Sequence, residues 1–217
     1  SKDVYEKEYA TSPVTEQRWT VAKLLKTKEL WLVAFIIGIN QLVTTGVMSQ
    51  LVVRNMELGF SQPKAISLMT VCALVGLIGS FGFGFIDQKF GVKKAIHGYL
   101  IWYCVALAIN YFMNNMLGGY ICVGMVGIAI GAAANFMTSL PASVFGRHNF
   151  DLVYSIYFPI MQIVLMLNYI INATAVSLTG GLRGSYLVFI GLLVVNIVLT
   201  GVPDTKKYHM DLSLIHL

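Results

Sequence analysis

The sequence predicts an all-α membrane protein, a bundle of six transmembrane helices with both termini in the cytoplasm. Three observations carry that reading. Six apolar stretches, at 30–53, 65–86, 96–113, 116–142, 153–178 and 186–203, contain no Asp, Glu, Lys or Arg in their interiors. Each has about the length a helix needs to cross ~30 Å of hydrocarbon, where only a helix or closed barrel satisfies its own backbone. The composition agrees, at 57% hydrophobic and 12% charged residues, against about 25% charged in an ordinary soluble domain.

The third observation is the distribution of positive charge. With the amino end inside, the inner segments hold Lys2, Lys7, Arg18, Lys23, Lys26, Lys28, Lys89, Lys93, Lys94, Arg147, Lys206 and Lys207. The outer ones hold only Arg54, Lys64 and Arg183. That bias in short loops sets orientation. The net charge of +5 is therefore a topology signal, and nucleic acid is not an expected partner.

Residues 1–29 read as a cytoplasmic linker, and the segment from Trp19 to Lys28 is suited to an interfacial helix, with Trp and Leu at headgroup level and lysines against anionic lipid. The chain opens on Ser1 without a signal peptide, as a fragment of a longer protein would. Residues 30–203 form the transmembrane domain, and 204–217 a cytoplasmic tail expected to be disordered. Short connections make sequence neighbours antiparallel neighbours. Gly76, Ser80 and Gly84 in the second span, and Gly127 with Gly131 in the fourth, recur at the spacing that lets helices approach closely. Pro141 near the end of the fourth span and Pro159 near the start of the fifth can break backbone hydrogen bonds. Cys72, Cys104 and Cys122 lie inside spans, with no paired spacing for a disulfide or a metal. No cofactor is expected.

Polar side chains are unevenly spread among the spans. The first carries Asn40, Gln41, Thr44, Thr45, Ser49 and Gln50, the fourth Asn135, Thr138 and Ser139, and the fifth Gln162, Asn168, Asn172 and Thr174. A carboxamide in hydrocarbon is costly without a partner, so clustered ones turn to the bundle interior or to water. Asn40, Gln41, Thr44, Thr45, Asn135, Thr138, Gln162, Asn168 and Asn172 are the candidate lining of a polar cleft for a small-molecule substrate. Single residues of this kind equally well bond to neighbouring helices.

The loop after the second span, Gly84-Phe-Ile-Asp-Gln-Lys-Phe-Gly-Val-Lys-Lys-Ala-Ile96, resembles the short cytoplasmic loop motif of the major facilitator superfamily. Gly84, Lys89, Gly91 and Lys93 fall in register, while Asp87 stands one position before the family's usual acid, where Gln88 is found. Arg147 on the next inner loop is the base expected to pair with Asp87. The turn at Glu57 to Ser61 and the Phe-Gly-Arg stretch before the fifth span extend the resemblance over nearly the whole chain, which is similar to the second six-helix half of such a transporter. Within the superfamily the chain resembles the oxalate/formate and monocarboxylate porters.

The resemblance implies two three-helix repeats, alternating access, a plasma-membrane location, and a partner in the missing amino-terminal six-helix half. It implies that spans one, two, four and five line the site while three and six face outward. Oxalate-type porters hold their dianion with basic residues in the second half, and spans two and five lack any here. No intramembrane Asp, Glu or His is present to serve as a proton relay. The Gly-x-Ser-Gly setting of an intramembrane protease is absent, so no enzyme is expected. Asn-Pro-Ala half-helices, regularly spaced arginines and a Thr-Val-Gly-Tyr-Gly filter are absent too. The alternatives are a six-helix channel of another type or a non-transporting membrane subunit.

Overall fold

The structure, a computed structural model, describes residues 19–146 and 150–204. Among them the regular structure is helical throughout: α1 (Val21–Leu25), α2 (Lys28–Met48), α3 (Leu51–Glu57), α4 (Gln62–Phe90), α5 (Val92–Phe112), α6 (Met116–Phe145), α7 (Phe150–Thr179) and α8 (Arg183–Gly201). Six of these, α2 and α4 to α8, are long and apolar enough to cross a membrane. The chain is an integral membrane protein by that criterion. Most of the linker (1–18), Arg147 and the tail from 205 onward lie outside the described residues.

Helix ends follow local chemistry. Thr20 caps α1 by accepting from the Lys23 N–H, and Asn115 caps α6 by accepting from the Gly118 N–H. Pro63 sits in the first turn of α4, where its missing N–H costs nothing. Gly91 and Gly146, at φ +87° and +81° with extended ψ, end α4 and α6 in a conformation open only to glycine.

One expectation changes. The apolar run 30–53 is two helices, because the chain turns at Ser49 and Gln50 before α3 begins. The Ser49 hydroxyl donates to the Gly46 carbonyl there, offering the backbone an alternative to another helical turn. The two prolines sit inside α6 and α7, which run on through them. Pro141 removes the donor that would reach the Met137 carbonyl, and the Tyr157 hydroxyl of α7 donates to that carbonyl in its place.

The spans form two layers. Across the front run α4, α6, α2 and α7, each packed on the next, and behind them α5 and α8 pack on each other. In the front layer α2 and α6 are central and bury the larger share of their residues, while α4 and α7 present broad apolar faces carrying Leu77, Phe81, Ile163 and Leu178. Small residues set the spacing. A Cβ on Gly79 would stand 2.1 Å from the Ile128 carbonyl oxygen, and one on Gly127 would stand 2.6 Å from that of Cys72, so α4 and α6 meet backbone to backbone. Behind this crossing Phe83, Tyr99, Tyr103 and Phe136 form an aromatic cluster joining α4, α5 and α6.

The packing of the spans has a regularity. α2 packs on α7 as α6 packs on α4, α2 on α8 as α6 on α5, and α4 on α5 as α7 on α8. Exchanging the first three spans for the last three therefore reproduces the principal packed pairs, and the slight contact of α6 with α7 is the exception.

Candidate functional site: the open face of α2 and α6

Helical geometry divides the polar residues of α2 into two sets. Gln41 and Thr45, with Met48, lie on one stripe of this central helix that its neighbours leave partly open, Trp31 and Phe35 being exposed nearer its start. Asn40 and Thr44 sit a quarter turn round and are buried. On α6 Asn135 is half-buried and Thr138 exposed, just beyond the point where Gly131 faces Gly76 of α4. Since α2 and α6 adjoin and both are backed by α5 or α8, these residues open on the same front surface.

Most of the remaining carboxamides are engaged in holding helices together. Asn196 of α8 donates through Nδ2 to Asn40 Oδ1 at 2.7 Å and to the Ile36 carbonyl at 3.0 Å, joining α8 to α2. Asn172 of α7 donates to the Gly46 carbonyl of α2 at 3.1 Å. Asn168 turns back to its own helix, donating to the Leu165 carbonyl. Asn135 clips α6 to α4, donating to the Ser80 carbonyl at 2.7 Å and accepting from the Ser80 hydroxyl at 3.2 Å. Thr138 donates to the Asn135 carbonyl one turn back and is exposed. Gln162 is half-buried on the flank of α7. Of the nine candidates, then, the structure leaves Thr138 exposed and Gln41, Thr45, Asn135 and Gln162 half-buried, and turns Asn40, Thr44, Asn168 and Asn172 inward.

The loop-motif residues occupy the turn between α4 and α5. Gly84 lies within α4 beside Asn135, where a Cβ would stand 3.5 Å from Asn135 Nδ2. Asp87 is half-buried in the last turn but one, and its expected partner Arg147 is outside the described residues. The Lys89 ammonium sits over the rings of Phe85 and Phe90. Lys93 does something its motif position did not suggest: it donates at 3.0 Å to the Gly201 carbonyl at the end of α8, a cation on an unpaired helix C-terminus.

Arg54 was read as a loop charge, yet it is 2% exposed. Its Nε donates to Asn110 Oδ1 at 2.8 Å, Nη2 to the Asn110 carbonyl at 3.1 Å and Asn114 Oδ1 at 2.9 Å, and Nη1 to Glu57 Oε2 at 3.0 Å. Glu57 in turn accepts from the Leu182 N–H at 3.2 Å. One buried cation thus gathers α3, the end of α5 and the start of α8. Nothing in the spacing of a lone Arg separates this from an exposed loop charge. The one signal was its position directly after the apolar run 30–53 and only seven residues before the turn at Ser61.

The open face offers hydroxyls and carboxamides, donors and acceptors without charge, and suits recognition of a neutral polar group by hydrogen bonds. Among the described residues no three His, Cys, Asp or Glu side chains gather in a group that could hold a metal ion. No family model matches the chain, and no curated protein matches it.

Proposed function

We propose that the chain is one six-helix half of a major facilitator type secondary transporter, moving a small organic solute by alternating access. The observation that carries this is the packing regularity: the principal pairs of packed helices are the same when spans one to three are exchanged for four to six, as two three-helix repeats related by a pseudo-twofold would give. The first helix of each repeat, α2 or α6, is central, and both turn hydrogen-bonding side chains to the same face.

On this reading the front face meets a second six-helix half, with both chain ends in the cytoplasm of the plasma membrane. Gln41, Thr45, Asn135 and Thr138 bind the solute, with Gln162 at the margin, while Asn40 and Asn172 tie α2 to α8 and α7, and Thr44 and Asn168 are buried behind them. Monocarboxylates are the first class to test, and the countercharge for a carboxylate comes from the other half, since this face is neutral. Neither a cofactor nor a catalytic step belongs to the mechanism.

The experiment is uptake of labelled monocarboxylates and other small organic solutes by membranes containing the complete protein, with Gln41→Leu and Asn135→Leu. Saturable uptake that both substitutions weaken, at unchanged membrane insertion, is the expected result. Kinetics indifferent to both would remove these residues from the site. Flux that never saturates would return the channel reading.

A further inference from the structure

Behind the open face, the bundle interior carries more polar atoms than its own packing employs. Tyr99, Tyr103 and Asn110 stand on one buried stripe of α5. The Tyr99 and Tyr103 hydroxyls and Asn110 Nδ2 have no hydrogen-bond partner in the protein, and the same holds for Thr44 Oγ1 of α2 and for Ser185 Oγ and the Tyr186 hydroxyl of α8. All belong to residues at least nine-tenths buried.

The Tyr99 and Tyr103 rings are 5.8 Å apart. The Tyr186 ring lies 5.8 Å from the Arg54 guanidinium, which holds Asn110.

Buried polar atoms are almost always satisfied, by protein or by ordered water. What these atoms require is small and neutral and both donates and accepts. We propose that the bundle binds water internally along this stripe, at the hydroxyls of Tyr99 and Tyr103 and, near Arg54, at Tyr186 and Asn110. The site is separate from the open face and independent of any transported solute.

Hydroxyl-radical labelling by X-ray radiolysis, read by mass spectrometry on the full chain in lipid nanodiscs, tests this directly, because radicals form on bound water. Tyr157 is the matched control, equally buried but with its hydroxyl on the Met137 carbonyl. Tyr99 and Tyr103 should label several-fold faster than Tyr157, and equal rates would overturn the proposal. Tyr103→Phe should leave the melting temperature unchanged or lower and should slow labelling at Tyr99, which shares the water. A higher melting temperature would mean the hydroxyl had been stranded dry, and would also overturn it. Should Tyr103→Phe not fold, the rates in the unsubstituted protein decide.

Discussion

The Tyr157 hydroxyl of α7 donates to the Met137 carbonyl of α6, the acceptor that lies four residues before Pro141 and that no backbone N–H can reach. A proline inside a spanning helix leaves such a carbonyl facing hydrocarbon unless a neighbour supplies a donor. Tyr157→Phe removes the donor and should cost about 1–3 kcal/mol, the usual penalty for an orphaned buried acceptor. Pro141→Ala restores the helical bond and should make Tyr157→Phe nearly neutral. A double-mutant cycle in thermal or denaturant unfolding checks this, and additivity of the two substitutions would separate the residues.

The crossing of α4 and α6 is set by absent side chains. A Cβ on Gly131 would stand 1.8 Å from the Gly76 carbonyl oxygen, whereas one on Gly124 meets nothing within 4 Å. Gly131→Ala should therefore destabilise by about 1–3 kcal/mol, as overpacking of a close interface does. Gly124→Ala in the same helix should be tolerated. Melting temperatures in detergent for the pair provide the comparison.

At the end of the bundle away from Lys93, Arg54→Ala would strand the Glu57 carboxylate and three acceptors on Asn110 and Asn114. Removing one partner of a largely buried pair costs about 3–5 kcal/mol, and Glu57, with its side chain 31% exposed, puts this case at the lower end. Arg54→Lys should recover only part of the loss, because one ammonium cannot reproduce the guanidinium's four directed bonds. Chemical denaturation of the three proteins gives the order.

Gly91→Ala should destabilise by about 1–3 kcal/mol, because its φ of +87° with ψ of 153° lies where a Cβ is strained even though nothing crowds it. Gly91→Asn should be little better, since this region lies outside the left-handed helical well that asparagine tolerates. The same thermal assay serves, with Gly98→Ala in α5, where a Cβ also meets open space, as the control.

Hydrocarbon-length runs announce themselves, which is why all six spans were legible and lie within a few residues of the observed helices. The burial of each face was not. These helices are apolar nearly all round, so no periodic contrast says which side of α2 takes Asn40 inward and leaves Gln41 open. Asn110 and Asn196 looked incidental in their spans, yet each is completely buried and bonded to another helix. That role depends on partners 56 and 156 residues away in the chain. The turn at Ser49 and Gln50 was hidden because apolar residues resume directly after it, with neither Gly nor Pro to mark the break.

The ties at the two ends of α5 and α8 have a mechanical consequence. Lys93 fastens the start of α5 to the end of α8, and at the other extreme Arg183 reaches the Tyr111 carbonyl while Arg54 and Glu57 grip both helices. A pair pinned top and bottom travels as a single plank. Any rocking of this molecule in the bilayer must therefore be taken up elsewhere, and the two-residue joint where α2 gives way to α3 lies outside that plank.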